Sequence, residues 1–180
     1  MGERVAVASA PDTLTFKTHR DQEGRAWFAW IRRALLALLA LVLLAGLLNL
    51  FGQRPSTSTA KASAARLQVY APTRVRGGLV YAARFRIDAV RDLKDAALEL
   101  DPGWVEQYTF NGTAPQPETE GSNDGTLVFT FGHVPAGKHL TFYASLQVNP
   151  TNVGHRTQDV RLYDGKQLLA TVHRTITIFP

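Results

Sequence analysis

Hydrophobic positions follow two regimes along the chain. From Ala34 to Phe51 the run ALLALLALVLLAGLLNLF holds eighteen residues with no charge and one polar side chain, Asn49. As a helix it would be roughly 27 Å long at about 1.5 Å per residue, close to the thickness of a bilayer's hydrocarbon core. Trp27 and Trp30 lie one turn earlier, and Arg32 and Arg33 abut the run, so the interface anchors of a membrane span are in place. This pattern predicts a transmembrane helix over 27–51. From Arg66 the period falls to two. In Tyr81–Ala89 the residues Tyr81, Ala83, Phe85, Ile87 and Ala89 share one face, while Arg84, Arg86 and Asp88 take the other. That alternation is a half-buried strand.

The same alternation recurs at Thr126–Phe131, through Leu127, Phe129 and Phe131, and at Leu140–Val148, through Leu140, Phe142, Ala144, Leu146 and Val148. Val160–Tyr163 runs into Asp164-Gly165, a hairpin signal, before Leu168–Phe179 continues extended. Weaker strands fall at Leu67–Tyr70, Ala97–Leu100 and Val105–Phe110, and Val90–Ala97 would also suit a short helical turn. Turns are expected at Arg76-Gly77-Gly78, Asp101-Pro102-Gly103, Asn111-Gly112, Asn123-Asp124-Gly125 and Pro135-Ala136-Gly137. Seven or eight short strands so punctuated predict a mainly β fold, an antiparallel sandwich over residues 66–180. Residues 1–26 read as a flexible tail, and 52–65, GQRPSTSTAKASAA, as a linker.

The alternative to an anchor is an export signal. Ala62-x-Ala64 fits a peptidase site, and Arg32-Arg33-Ala34-Leu35-Leu36 partly matches a twin-arginine signal. The apolar run exceeds the usual signal core of about 7–15 residues. The Ala-x-Ala lies well past its end, and Ile31 stands where the twin-arginine pattern wants Ser or Thr. The uncleaved anchor is the expected form. Arg25, Arg32 and Arg33 load the N-terminal flank against Arg54 and Lys61 on the other, which predicts a cytoplasmic N-terminus and an extracytoplasmic sandwich.

The formal charge of +5 changes meaning once it is placed. Residues 1–33 carry six basic groups against four acidic ones, residues 52–65 carry Arg54 and Lys61 alone, and residues 66–180 carry twelve against eleven. The excess flanks the span, and the folded part is nearly neutral, which argues against a nucleic-acid partner. The chain has no cysteine, so disulfides, thiol catalysis, zinc thiolate sites and cysteine acylation are excluded.

The strings APTRVRGG, LELDPGW and FGHVPAGKHLTFYASLQV resemble the immunoglobulin-like modules of bacterial surface proteins, in which a proline–small–glycine turn precedes the penultimate core strand. The chain as a whole is similar to single-pass membrane proteins of high-GC bacteria. The resemblance covers roughly residues 66–180, rests on structural turns, and implies a scaffolding or adhesive module with no catalytic residue to carry over. The cysteine pair of antibody domains is absent, so this is not a true immunoglobulin domain.

Candidate chemistry is sparse. His19, His133, His139, His155 and His173 never fall at metal-site spacing, although His133 and His139 bracket one turn. The loop Glu118–Gly125 has the alternate oxygens of a calcium loop but no terminal bidentate Glu, and a solvated hairpin loop is the simpler reading. Asn111-Gly112-Thr113 is a formal glycosylation sequon. No catalytic, cofactor or metal site is expected. Trp104 would plug one end of the core or, exposed, stack on a sugar ring. Arg84 and Arg86 would bind anionic wall polymer or lipid headgroups, or pair with acids such as Glu99 or Asp159 on neighbouring strands. In the span, Leu35, Leu39, Val42, Gly46 and Asn49 form one stripe suited to helix–helix packing, or Asn49 simply meets interfacial water. The expected function is a non-enzymatic accessory, scaffold or recognition module of the cell envelope. Its partners would be the bilayer and another membrane or envelope protein, or a second copy of itself. Cell-wall glycan binding by an exported sandwich, or a small hydrolase whose site does not show in sequence, stand as alternatives.

Overall fold

The computed structural model describes residues 26–48, 50 and 52–180. Two units divide the chain near Ala45 and Gly46. The first contains the helix α1 (Ala26–Leu47) except for its last two residues. Asn49 and Phe51, which the predicted span included, lie outside the described residues.

The second unit is β throughout, apart from one helical turn. Its strands are β1 (Pro55–Lys61), β2 (Ala65–Pro72), β3 (Arg74–Arg76), β4 (Val80–Ala89) and β5 (Leu93–Leu100), followed by the turn α2 (Pro102–Val105). Then come β6 (Tyr108–Ala114), β7 (Thr119–Asn123), β8 (Thr126–Val134), β9 (His139–Val148), β10 (Gly154–Thr157), β11 (Val160–Asp164), β12 (Gln167–Val172) and β13 (Thr175–Phe179). One antiparallel sheet has the order β1-β2-β4-β9-β6 and a second the order β12-β11-β5-β8-β7. A small sheet, β10-β13-β3, adds a single parallel pair between β13 and β3. All three sheets bury side chains in one shared core, which makes the unit an antiparallel β-sandwich.

Alternation decides which side chains enter that core. Along β4 the residues Tyr81, Ala83, Phe85, Ile87 and Ala89 are buried, as the period of two requires. Phe142 on β9 meets Phe129 on β8 of the facing sheet at 4.9 Å between ring centroids, and also meets Phe131 at 4.9 Å and Phe85 at 5.8 Å. The tilted Phe142–Phe129 and edge-on Phe142–Phe131 contacts join the two sheets through large side chains.

Five expectations need correction. The residues read as a linker form β1, which pairs with β2 from Pro55↔Pro72 to Lys61↔Arg66. Small Ser, Thr and Ala side chains need no deep burial at a sheet edge, so the strand leaves no hydrophobic signature. The stretch read as a possible helical turn, Val90–Ala97, enters β5. The register shifts on both sides of Ala96 there, so Ala96, Ala97 and Leu98 are buried in succession and the alternation is lost. Asn111-Gly112 is no turn; it lies within β6, where the register slips between Phe110 and Gly112. The extended run Leu168–Phe179 splits at His173-Arg174 into strands of different sheets. There the Asp159 carboxylate accepts the Arg174 backbone N–H at 3.2 Å and contacts His173 Nδ1 at 2.7 Å. Pro135-Ala136-Gly137 does turn the chain, with Gly137 at φ 75°, but it carries it from one sheet to the other, and four strands follow β9.

The α2 corner closes one end of the core. Gly103 lies so near the Thr157 carbonyl that an added Cβ would overlap its oxygen. Trp104 is fully buried, 5.4 Å from the Phe85 ring. It therefore has no face to offer a sugar, and the sugar-stacking alternative for Trp104 is withdrawn. Over its ring, at 5.5 Å, sits the buried guanidinium of Arg174, whose Nη2 donates to the carbonyls of Ala71 (2.9 Å) and Pro72 (3.1 Å). Gln158 Nε2 donates to the Tyr81 hydroxyl at 3.4 Å and to the Gly103 carbonyl at 3.3 Å. Tyr108 stands edge-on to Tyr81 at 6.3 Å. Burial disfavours every ion here: it lowers the Arg174 pKa, raises that of Tyr81, and pushes Tyr108 up to about 12.

Phe142→Ala should remove the joint between the sheets at a cost of about 3–5 kcal/mol, read as a lower denaturant midpoint. The tyrosines give a pH dependence of known sign. In the unfolded chain they ionise near 10.0, whereas in the fold Tyr108 holds its proton to about 12 and Tyr81 beyond that. Their contribution to stability is therefore complete below pH 10 and declines as the pH rises through about 12. Changing both to Phe should flatten the alkaline fall in melting temperature and remove the late-rising phenolate absorbance; an unchanged alkaline slope would refute this assignment.

Candidate functional surface

Because Phe85 and Ile87 turn inward, Arg84 and Arg86 must turn outward, and the registers of β4 determine what stands beside them. Tyr70 on β2 and Tyr143 on β9 flank Arg84 across the sheet. Gln68 and Thr141 flank Arg86, and Arg66 and His139 flank Asp88. Lys61 on β1 extends the last of these rows. Arg66, Gln68, Arg84, Arg86, Asp88, Thr141 and Tyr143 together line a shallow basin of about 320 Å³.

The chemistry of this basin is cationic and aromatic. Arg86 Nε donates to Asp88 Oδ1 at 2.8 Å within the same strand. Arg66 and Arg84 have no carboxylate partner among the described residues. The guanidinium of Arg84 instead lies 5.0 Å over the ring of Tyr70. Tyr70 is 37% and Tyr143 46% exposed, so both residues reach solvent beside Arg84. The acids expected to neutralise this strand are engaged elsewhere. Glu99 binds Arg161 at 2.6 Å, Asp101 binds Arg161 at 2.9 Å, and Asp159 holds the His173-Arg174 bend. Glu99 and Asp159 belong to the opposite sheet and its loops, which the sequence order of the strands does not reveal.

Charge is thus segregated between the two large sheets. The strands of the sheet containing β4 carry Lys61, Arg66, Arg84 and Arg86 against Asp88 alone. Those of the other sheet carry Lys94 and Arg161 against Asp95, Glu99, Glu120 and Asp164. A nearly neutral domain therefore has one positive and one negative face.

The remaining candidates disperse. His133 pairs with Asp92 at 2.9 Å on the second sheet, while His139 lies on the first, so these two histidines do not form a site. No group of three metal-ligating side chains occurs among the described residues. The calcium-like loop is the strand β7 and a tight turn in which Asp124 and Gly125 take φ values of 48° and 79°. In α1, Arg33 stacks over Trp30 at 5.5 Å, next to Trp27 and Arg32 at the same end. Gly46 has open space where a Cβ would stand, and Asn49 lies outside the described residues.

Neither a protein-family model nor a curated protein matches this chain. Among solved structures it is similar in part to a von Willebrand factor type A protein from Catenulispora acidiphila, at 18% identity over 48% of this chain, with a TM-score of 0.35. The chain spans only 23% of the length of that protein. It is also similar to a non-cellulosomal cohesin from the hyperthermophilic archaeon Archaeoglobus fulgidus, at 12% identity, covering 69% of this chain and 92% of that one, with a TM-score of 0.40. Both superpositions are loose, and the sandwich assignment stands on the sheets and core described above.

Proposed function

We propose that this chain is a single-pass membrane protein with a cytoplasmic N-terminus, displaying its sandwich on the far side of the membrane as a non-enzymatic recognition or scaffold module. The observation that carries the proposal is α1. It is 22 residues long and uncharged from Ala34 onward, with its described side chains almost all turned outward and its tryptophans and arginines gathered at one end. A helix of this composition finds apolar surroundings in a bilayer. The cationic face of the sandwich supplies a surface on which recognition would operate. The stripe of Leu35, Leu39, Val42 and Gly46 supplies a second contact, toward another membrane helix or a second copy of this one.

The absence of cysteine makes topology directly measurable. Ser122→Cys, on the exposed strand β7, should react with an impermeant maleimide in intact cells, and Ser9→Cys only after lysis. The full-length mass should stay with membranes washed in alkaline carbonate. Reversed labelling would overturn the orientation, and recovery of a shortened soluble form would overturn the anchor. Gly46→Leu should reduce the yield of in-cell cross-links made through the helix several-fold without releasing the protein from the membrane; an undiminished yield would remove the stripe as a contact.

A further inference from the structure

We infer that the outer face of β2, β4 and β9 is a binding site for an acidic polysaccharide, with Tyr70 and Tyr143 as platforms for sugar rings and Arg66, Arg84 and Arg86 as partners for its acid groups. The inference rests on the reading of the sandwich as a recognition module and names what that module would recognise.

Three features of the face select this class of ligand. First, charge complementarity: the face has three basic groups, Arg66, Arg84 and Arg86, against Asp88 alone, whereas residues 66–180 as a whole have twelve against eleven. Arg66 and Arg84 keep their guanidinium forks free of protein carboxylates among the described residues, which leaves them able to hold an acid group through two parallel hydrogen bonds. Second, spacing: Tyr70 and Tyr143 stand on strands either side of β4, so their backbones are separated by two strand spacings, about 10 Å. That is about the reach of two linked sugar rings, and the Arg84 backbone lies between the two tyrosines, with its guanidinium 5.0 Å over the Tyr70 ring. Third, shape and polarity: the face is a shallow basin bordered by Gln68 and Thr141, whose amide and hydroxyl suit sugar hydroxyls.

Other polyanions fit less well. A lipid surface is gripped by apolar side chains that enter it beside the cations, and this basin is lined by polar and charged groups together with Tyr143. A nucleic acid calls for a more extended basic surface than three arginines beside one acid.

The test uses the purified full-length chain in detergent micelles, with polygalacturonate as the probe. Neutral dextran, polyglutamate, single-stranded polythymidylate and vesicles containing phosphatidylglycerol serve as comparisons. Polygalacturonate should bind most tightly and dextran should not bind. Affinity should fall as salt is raised. Arg84→Glu should weaken binding at least tenfold, and Arg66→Gln several-fold. Tyr70→Ala combined with Tyr143→Ala leaves the charge unchanged and should still weaken binding several-fold. Lys94→Glu on the opposite sheet should leave it unaltered, and thermal melts confirm that each variant is folded. Four results would each overturn the site: no binding of polygalacturonate, equal binding of polyglutamate with no effect of the tyrosines, tighter binding of polythymidylate, or binding of the vesicles alone. None of these bears on carbonate resistance or cysteine labelling, so loss of the glycan site and loss of the membrane reading remain separate outcomes.

Discussion

Everything on the outside of the sandwich is set by a contact on the inside, that of Phe142 with Phe129 across the sheets. Each sheet is amphipathic only in one register, because successive side chains point to opposite faces. With Phe142 and Phe129 locked ring against ring, β9 and β8 can present only their alternate residues to solvent. Pairing carries the constraint onward to β4, where Phe85 joins Phe142 and forces Arg84 and Arg86 outward. A slip of one residue in β4 would send two guanidinium groups into an apolar core, at a cost far above the few kcal/mol that one aromatic contact supplies. The face on which the cations stand is therefore as rigidly fixed as the core itself.

That rigidity gives the charge separation its physical effect. The sheets of a sandwich pack about 10 Å apart, and charges in physiological salt are screened over roughly 8 Å. The potentials of the two faces scarcely cancel, so a ligand approaching β4 meets a positive surface even though the domain is nearly neutral. Ion pairing within the structure sharpens the contrast. Arg161 is held by Glu99 and Asp101 on the acidic side, while on the basic side Arg86 alone finds an acid among the described residues. Net charge counted along the chain, which argued against a nucleic-acid partner, does not show how the sheets divide the charges between their faces.

The strands that carry the core were legible in sequence because large side chains alternate in them; Tyr81–Ala89 and Leu140–Val148 needed no further information. β1 was not legible, since its Ser, Thr and Ala residues have the composition of a linker and its pairing with β2 follows from the edge that β2 offers. β5 was obscured by irregular register about Ala96, which breaks the period. The site was half legible. Arg84 and Arg86 announce themselves on one strand, but Arg66, Tyr70 and Tyr143 join them only through pairings that span as many as 59 residues, as in Arg84↔Tyr143. The alternation of Arg66, Gln68 and Tyr70 with the buried Leu67 and Val69 was the available signal, and only the order of the strands shows that these side chains face the same solvent as Arg84. Trp104 left two readings open in sequence, a plug at one end of the core or an exposed stacking ring, and it is the plug, enclosed by Arg174, Phe85 and the segment that Gly103 touches.

Exposed arginines such as these contribute little one at a time, commonly below about 1 kcal/mol for a single surface ion pair. A shallow basin of this kind would therefore bind one acid group weakly, whatever its chemistry. A membrane anchor, as proposed for α1, would change the arithmetic. Copies confined to one plane and facing a repetitive polymer convert the second and later contacts into local events, whose effective concentration replaces intrinsic affinity. The two halves of the chain then make sense together. The helix has no need to recognise anything in order to multiply weak contacts made by the sheet, and the sheet has no need of a deep pocket if its ligand repeats. A soluble form of the same sandwich would have the same registers, the same arginines and the same tyrosines, yet it would hold a polymer only as strongly as a single basin can.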